Sequence, residues 1–581
     1  MPAFQQNMVL LQDETRWLLY QNPETIITAR SLEDVLPALI LIEKHVETDH
    51  AFAAGFLSYE AGPAFDKALK THPQTDFPLL WFGLYKQPEI LEILPEIRTS
   101  YHLDRWQPDT DISVYMQTVN RIRDYLAGGD TYQVNYTIRM RTRFSGDPYG
   151  LFRRITDSQK AAYGAFLDIG KFTICSASPE LFFSLDKHDL TSRPMKGTAP
   201  RGKFLTEDRR MAENLKTSEK NRAENVMIVD MMRNDMGRVA VPGSVQVTKC
   251  FDVEKYPTVW QMTSTVKSQT AAPITDILRA LYPCASITGA PKPRTMEIIR
   301  DLETSPRNIY TGAIGMIGPS RQARFSVAIR TVLVNRKSGQ AEYGVGGGIV
   351  WDSTAEEEYH ECRIKARVLT ESRPLFKLLE SLLWTPEKGY YLQDYHIKRL
   401  MASARYFEFP VSVQDIKRKL ESAVPEFPDT PVKVRLLVSR EGSLGLNWEK
   451  PRSSESLTVS LARTPVNRDD IFLYHKTTHR QTYEKALSEK GQTDDVLLWN
   501  DQDELTEASS SNIVLQFGNA FYTPPVTSGL LPGTRRAELL DQGKIQEKVL
   551  KKSQLAETDG IFLINSVRPW REAVYRPSRK I

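Results

Sequence analysis

Arg193-Pro194-Met195-Lys196-Gly197-Thr198 follows the extended run Ile174-Cys175-Ser176-Ala177-Ser178-Pro179-Glu180-Leu181-Phe182, and the placing of Lys196 decides how the chain is read. Strand-like segments flank this lysine, so it is expected at a strand end facing a cleft. A solvated lysine is protonated and chemically idle. One desolvated beside other cationic groups can lose its proton and act as a nucleophile. These residues alone leave both readings open.

At 581 residues the chain exceeds one hydrophobic core. Its 41% hydrophobic and 25% charged content fit a soluble globular enzyme. The 76 basic and 72 acidic side chains nearly cancel, and no basic block is interleaved with aromatics, so nucleic acid is not an expected partner. MPAFQQNMVLLQDETRWLLY has no basic segment leading into an apolar one, so no signal peptide is expected there. No run of about 18 apolar residues exists, so no membrane span is expected. Cys175, Cys250, Cys284 and Cys362 are scattered, which reads as thiols in a reducing compartment and predicts a cytoplasmic protein.

Taken in order, Phe52–Glu60 and Leu79–Tyr85 read as buried strands around a polar loop over Lys67–Phe77. Val114, Met116, Val119, Ile122, Tyr125 and Leu126 recur at helical spacing over 111–128, and Gly128-Gly129 ends that helix. Asp130–Thr137 alternates like a strand. One long helix is expected from Asp208 to about Met232, carrying Glu224 inward. Ser286-Ile287-Thr288-Gly289-Ala290-Pro291-Lys292 opens another helix. Strands are expected over Gly312–Ile317, Phe325–Thr331 and Tyr343–Val350, the last with three successive glycines that permit close approach of a ligand.

In the helix beginning near Thr354, Glu358, Glu361 and Lys365 are spaced i, i+3, i+7 and share one face. With Glu224 the two carboxylates could form an all-oxygen site suited to Mg²⁺. The alternative is a solvated acidic face, which Glu356 and Glu357 make plausible.

The strings GGDTYQVNYT, ASPELF, PMKGTAPRG, RAENVMIVDMMRND, SITGAPK, AIRT and GGGIVWDS…EEEYHECRIKAR resemble the chorismate-utilising enzymes over roughly residues 50–370. The resemblance implies an α/β sandwich of two sheets flanked by helices, with one Mg²⁺ bridging chorismate. It implies metal contacts from Glu224 and Glu361 together with Glu358. Substrate carboxylates fall to Tyr310, Arg330, Lys365 and the amides of Gly346 and Gly348, beside Thr198 and Thr288. Within the family, anthranilate synthases carry a small residue where this chain has Lys196, and aminodeoxychorismate synthases carry the lysine. There it attacks chorismate at C2 and expels the C4 hydroxyl, ammonia then attacking C4; Glu180 matches the general acid and base. Trp260 stands at a position often held by histidine, which implies little pyruvate elimination in this half.

Near residue 371 the pattern breaks and a second unit begins, giving expected domains 1–370 and 371–581. Lys476 is expected at a strand end, Glu507 lies among small residues, and Pro532-Gly533-Thr534 supplies amides and a hydroxyl at a helix start. An amine, a carboxylate and a phosphate-cradling turn are the parts a pyridoxal phosphate site needs. In this order, over about 374–575, they resemble the fold-type IV pyridoxal-phosphate enzymes, an α+β domain pair. That implies Lys476 as the cofactor's lysine, Glu507 as partner of the pyridine nitrogen, and Arg399 with Thr534 as phosphate contacts. It also makes a homodimer through this domain possible.

Those motifs are shared by lyases and aminotransferases. The whole α+β chain therefore has three readings. In the first, chorismate and ammonia become aminodeoxychorismate, whose pyruvate the second half removes to leave p-aminobenzoate. In the second, the second half is an amino-acid aminotransferase. In the third, the chain is an inactive chorismate-binding scaffold, against which the two intact constellations argue. None of the four cysteines sits in a G-x-C-x-G-type elbow, so ammonia is expected from solution or from a separate glutamine amidotransferase subunit.

Overall fold

The chain divides into two compact units, one of Met1–Pro200 with Ala212–Arg373 and the other of Arg201–Met211 with Pro374–Ile581. The computed structural model describes residues 6–96, 100–159, 161–370, 374–451 and 457–577; the expected break at Glu371-Ser372-Arg373 lies outside them.

The first unit contains an eleven-stranded and a ten-stranded sheet, and period-two alternation sets its layers. In the strand Phe52–Leu57, Ala54 and Phe56 join a core with Phe172 and Ile174 from Phe172–Ser178, a strand of the other sheet. Ala53 and Leu57 turn the opposite way, onto Val35, Leu39 and Ile42 of the helix Leu32–Thr48. Cys175 and Ala177 turn onto Tyr115, Val119 and Ile122 of the helix Ile112–Ala127. Two sheets face each other and helices cover both outer faces, the expected α/β sandwich. Each Phe, Leu or Ile taken fully from water contributes about 1.5–3 kcal/mol, and strands covered on both faces read as continuous apolar runs. Val114, read as part of the helix's apolar stripe, is 45% exposed, and Tyr115 occupies the buried position.

Two elements differ from expectation. The helix expected over 208–232 is two helices, Leu205–Thr217 and Glu219–Gly237, because the Ser218 hydroxyl accepts the Asn221 N–H and caps the second. The strand expected through Thr331 ends at Val327, and a new strand, Thr331–Asn335, lies in the other sheet. Arg330 makes this crossing with φ 53°, a left-handed conformation costly for a residue with a side chain.

In the second unit a four-stranded sheet, including Leu378–Thr385 and Val432–Val438, packs on the helices Gln393–Phe407 and Val413–Ala423. An eight-stranded sheet holds Leu505–Ala508 and Asn512–Phe517. Lys476 is not at a strand end. It follows the short 3₁₀ turn Ile471–Leu473, and its carbonyl accepts the Leu379 N–H, which pins it to the edge of the smaller sheet. Arg201–Met211 joins this unit through side chains: Arg201 grips Asp208 at 2.6 Å and lies over the Tyr406 ring. The Tyr406 hydroxyl donates to the Gly202 carbonyl at 2.7 Å.

Among the described residues, no helix is long and apolar enough to cross a membrane.

Candidate active sites

A cavity of about 390 Å³ opens in the first unit, and Lys196 lines it. Lys196 is the second residue of the strand Met195–Pro200. Its Nζ lies 3.2 Å from Glu224 Oε2, which the helix Glu219–Gly237 brings across. Glu180, Thr198, Tyr310, Arg330, Gly346, Gly348, Glu358, Glu361 and Lys365 line the same cavity. Thr288 does not: it is fully buried, and its hydroxyl turns back to the Cys284 and Ala285 carbonyls.

Burial raises Glu180 to about 7, although the Ser286 hydroxyl and the Met195 N–H both donate to it. Burial and the neighbouring Glu361 raise Glu358, whose Oε1 accepts a 2.6 Å bond from the Ser353 hydroxyl. Lys365, 2.6 Å from Glu361, pulls that carboxyl down. Burial alone would lower Lys365, but Glu361 outweighs it and the amine is raised. Lys365 also donates to the Gly346 carbonyl at 2.8 Å. A β-carbon at Gly348 would stand 2.3 Å from Lys196 Nζ and 2.9 Å from the Gln133 carboxamide, so only glycine lets that amine reach its place.

Among the described residues, no three His, Cys, Asp or Glu side chains are arranged to hold a metal ion as they stand, and Glu224 pairs with Lys196. The donor chemistry nevertheless fits Mg²⁺. Glu358 and Glu361 approach closely enough to repel, and a hard cation between oxygen donors relieves that repulsion.

In the second unit, burial with Arg399 beside it lowers Lys476 to about 7. Burial raises Glu507 to about 7 against donors from Tyr483 Oη at 2.7 Å and the Leu531 N–H at 3.0 Å; Asn512 donates to its other oxygen at 3.2 Å. Arg399 reaches Glu380 at 2.6 Å and the Pro532 carbonyl at 3.2 Å. The Thr534 hydroxyl, at the start of the helix Thr534–Asp541, lies 3.3 Å from His396 Nε2. A near-neutral amine, a buried carboxyl and a cation beside a helix start fit pyridoxal phosphate.

The family description "chorismate binding enzyme" matches residues 6–371. The chain belongs to the chorismate binding enzyme family. In this chorismate binding enzyme, residues 377–574 match a second family, "Amino-transferase class IV", a fold that binds pyridoxal phosphate. The chain is 43% identical over 267 residues to aminodeoxychorismate synthase component 1 of Salmonella typhimurium, covering 45% of this chain and 58% of the relative. It is 38% identical over 270 residues to anthranilate synthase component 1 of Thermus thermophilus, covering 46% of this chain and 58% of the relative. The chain thus spans a little over half the length of these curated relatives. Anthranilate synthase component I from Streptococcus pneumoniae shares the fold, with TM-score 0.52 and 24% identity over 64% of this chain and 94% of that structure.

Three residues of this chorismate binding enzyme escaped the sequence reading. Gln261 rather than Trp260 lines the cavity, accepting a 2.9 Å bond from the Thr198 hydroxyl. Both lie on the strand Val259–Gln269, where neighbours face opposite ways. Gln133 is fully buried, with neither amide atom hydrogen-bonded among the described residues. Ser286 was read only as part of a helix start. For Gln133, its place in the alternating GGDTYQVNYT run was the available signal.

Proposed function

We propose that the chain makes p-aminobenzoate from chorismate and ammonia in two steps, with residues 1–370 aminating and residues 371–581 releasing pyruvate. The observation that carries this is Lys196 in one cavity with Glu180, Arg330, Lys365 and the carboxylates of Glu224, Glu358 and Glu361. The 43% identity to an aminodeoxychorismate synthase component 1 supports it.

In the first step Lys196 Nζ bonds to C2 of chorismate with loss of a proton, both ring double bonds shift by one position and the C4–O bond breaks. Glu180, balanced near neutrality, protonates the departing hydroxyl, which leaves as water. Ammonia then bonds to C4, its proton passing to the departing Nζ, both double bonds return and the C2–Nζ bond breaks. Arg330 and Lys365, with the Gly346 and Gly348 amides, Thr198 and Tyr310, hold the two carboxylates. Glu224, Glu358 and Glu361 would hold Mg²⁺, which would supply Lewis-acid charge stabilisation there.

In the second step Lys476 would hold pyridoxal phosphate, which would supply an electron sink there. Glu507 would hold the ring nitrogen, and Arg399 and Thr534 would hold the phosphate. The Lys476 amine takes the proton from C4 of aminodeoxychorismate and returns it to the enolpyruvyl carbon. The C3–O bond breaks, pyruvate leaves and the ring becomes aromatic. The class IV match favours a second reading, an amino-acid aminotransferase needing a keto acid. The "component 1" name of the relatives supports a separate amidotransferase as ammonia source.

The test is a mass-resolved product assay of the full chain with chorismate, Mg²⁺ and ammonium, with and without pyridoxal phosphate. p-Aminobenzoate and pyruvate in equal amounts establish both steps. Aminodeoxychorismate alone with cofactor bound makes the second unit an aminotransferase, and no amination overturns the proposal.

A further inference from the structure

Glu180 is buried at 3% exposure, and a carboxyl so placed needs fixed donors if it is to meet substrate in one orientation. One donor is the Met195 N–H, next in sequence to Lys196. The other is the Ser286 hydroxyl, which lines the same cavity and donates to Glu180 Oε1 at 2.7 Å. Because the single Ser286 O–H is committed to Glu180, its oxygen is left to accept, and Cys284 Sγ stands 3.2 Å from it. Cys284 is 4% exposed, and burial raises its thiol to about 12, so its proton is available to donate.

The turn carrying Ser286 is itself clamped. Arg307, fully buried and 2.7 Å from Glu303, donates to the Ile287 carbonyl at 2.9 Å and to the Asn135 carbonyl at 2.7 Å. Glu303 also takes Arg139 at 3.0 Å and the Thr137 hydroxyl at 2.6 Å. The hydroxyl is therefore presented by a turn that cannot rotate away without breaking a buried ion network.

From this geometry we infer that Ser286 is a positioning residue for Glu180, its hydroxyl aimed by the Cys284 thiol and holding the carboxyl toward Lys196 and the substrate. The inference builds on the proposed amination, in which Glu180 protonates the leaving hydroxyl. Among the described groups, those acting on Glu180 are Ser286 and Cys284 from the turn, the Met195 N–H from the lysine strand and Lys365 from the helix Ala355–Ala366; Lys196 shares the cavity. A donated hydrogen bond stabilises the charged carboxylate, so removing it raises the carboxyl's pKa.

The experiment measures amination by the full chain with Mg²⁺ across pH, with free ammonia held constant. Ser286→Ala is expected to move the Glu180-dependent limb upward by about one pH unit and to lower kcat more than it raises KM. Ser286→Thr restores both. Cys284→Ala, which keeps the hydroxyl but removes its donor, gives a smaller shift in the same direction and decides the matter if Ser286→Ala fails to fold. An unshifted profile in Ser286→Ala, or in Cys284→Ala where that variant decides, beside an inactive Glu180→Gln enzyme, overturns the inference and leaves the amination reading intact. Full amination by Glu180→Gln overturns both.

Discussion

Lys196 Nζ and Glu224 Oε2 are 3.2 Å apart, so the proposed nucleophile and one proposed metal ligand occupy each other. Glu358 and Glu361, less than one helical turn apart, line the same cavity as this pair. Lys196→Ala is therefore expected to abolish amination, by about 10³-fold or more in kcat, while the chain still binds chorismate in a calorimetric titration. Glu224→Gln is expected to raise the Mg²⁺ concentration for half-maximal rate at least about tenfold, read from a metal titration at saturating chorismate. Unchanged metal dependence would remove Glu224 from the ligand set.

Gly348→Ala tests how tightly the amine is placed. The added carbon would stand 2.3 Å from Lys196 Nζ and 2.9 Å from Gln133, both ends of side chains rather than backbone. The chain is expected to fold with a circular dichroism spectrum like the parent's and to lose amination by about 10²-fold. Pyruvate release from supplied aminodeoxychorismate should persist.

The second unit carries a pH prediction. Burial and Arg399 lower Lys476 to about 7, so its amine is neutral above that pH and charged below it. Covalent loading of pyridoxal phosphate needs the neutral amine. The loading rate, followed by absorbance, should rise through a midpoint near pH 7 rather than near the ordinary lysine value. Lys476→Ala should show no loading and should stop the reaction sequence at aminodeoxychorismate.

Glu380 is the anion beneath the proposed phosphate site. Burial would raise its carboxyl, but Arg399 and His396 outweigh burial and hold it at about 2. Glu380→Gln leaves buried positive charge without a partner, at a cost of about 3–5 kcal/mol. The expected results are a lower thermal midpoint for the cofactor-free chain and weaker pyridoxal phosphate binding by fluorescence titration. An unchanged midpoint would show that Arg399 finds another anion.

Local pattern made much of this readable. Alternation placed Ala54 and Phe56 in one core and Ala53 and Leu57 in another, and helical spacing put Glu358, Glu361 and Lys365 on one side of a helix. It failed where one side chain changed the local rule. Ser218 capped a helix that periodicity ran straight through, and Arg330 adopted a left-handed turn that moved the chain between sheets. From Trp260 to Gln261 is a step of one residue, which on a strand is the whole difference between missing the cavity and lining it.

By itself the sequence determined the layered α+β architecture and the chemical inventory of both sites, because periodicity and residue type are properties of short stretches. Only the tertiary structure decided that Glu224 meets Lys196, that Ser286 meets Glu180 across 106 residues, and that Arg201–Met211 packs with the second unit. Those pairings depend on burial and side-chain direction between distant segments, which no local spacing encodes.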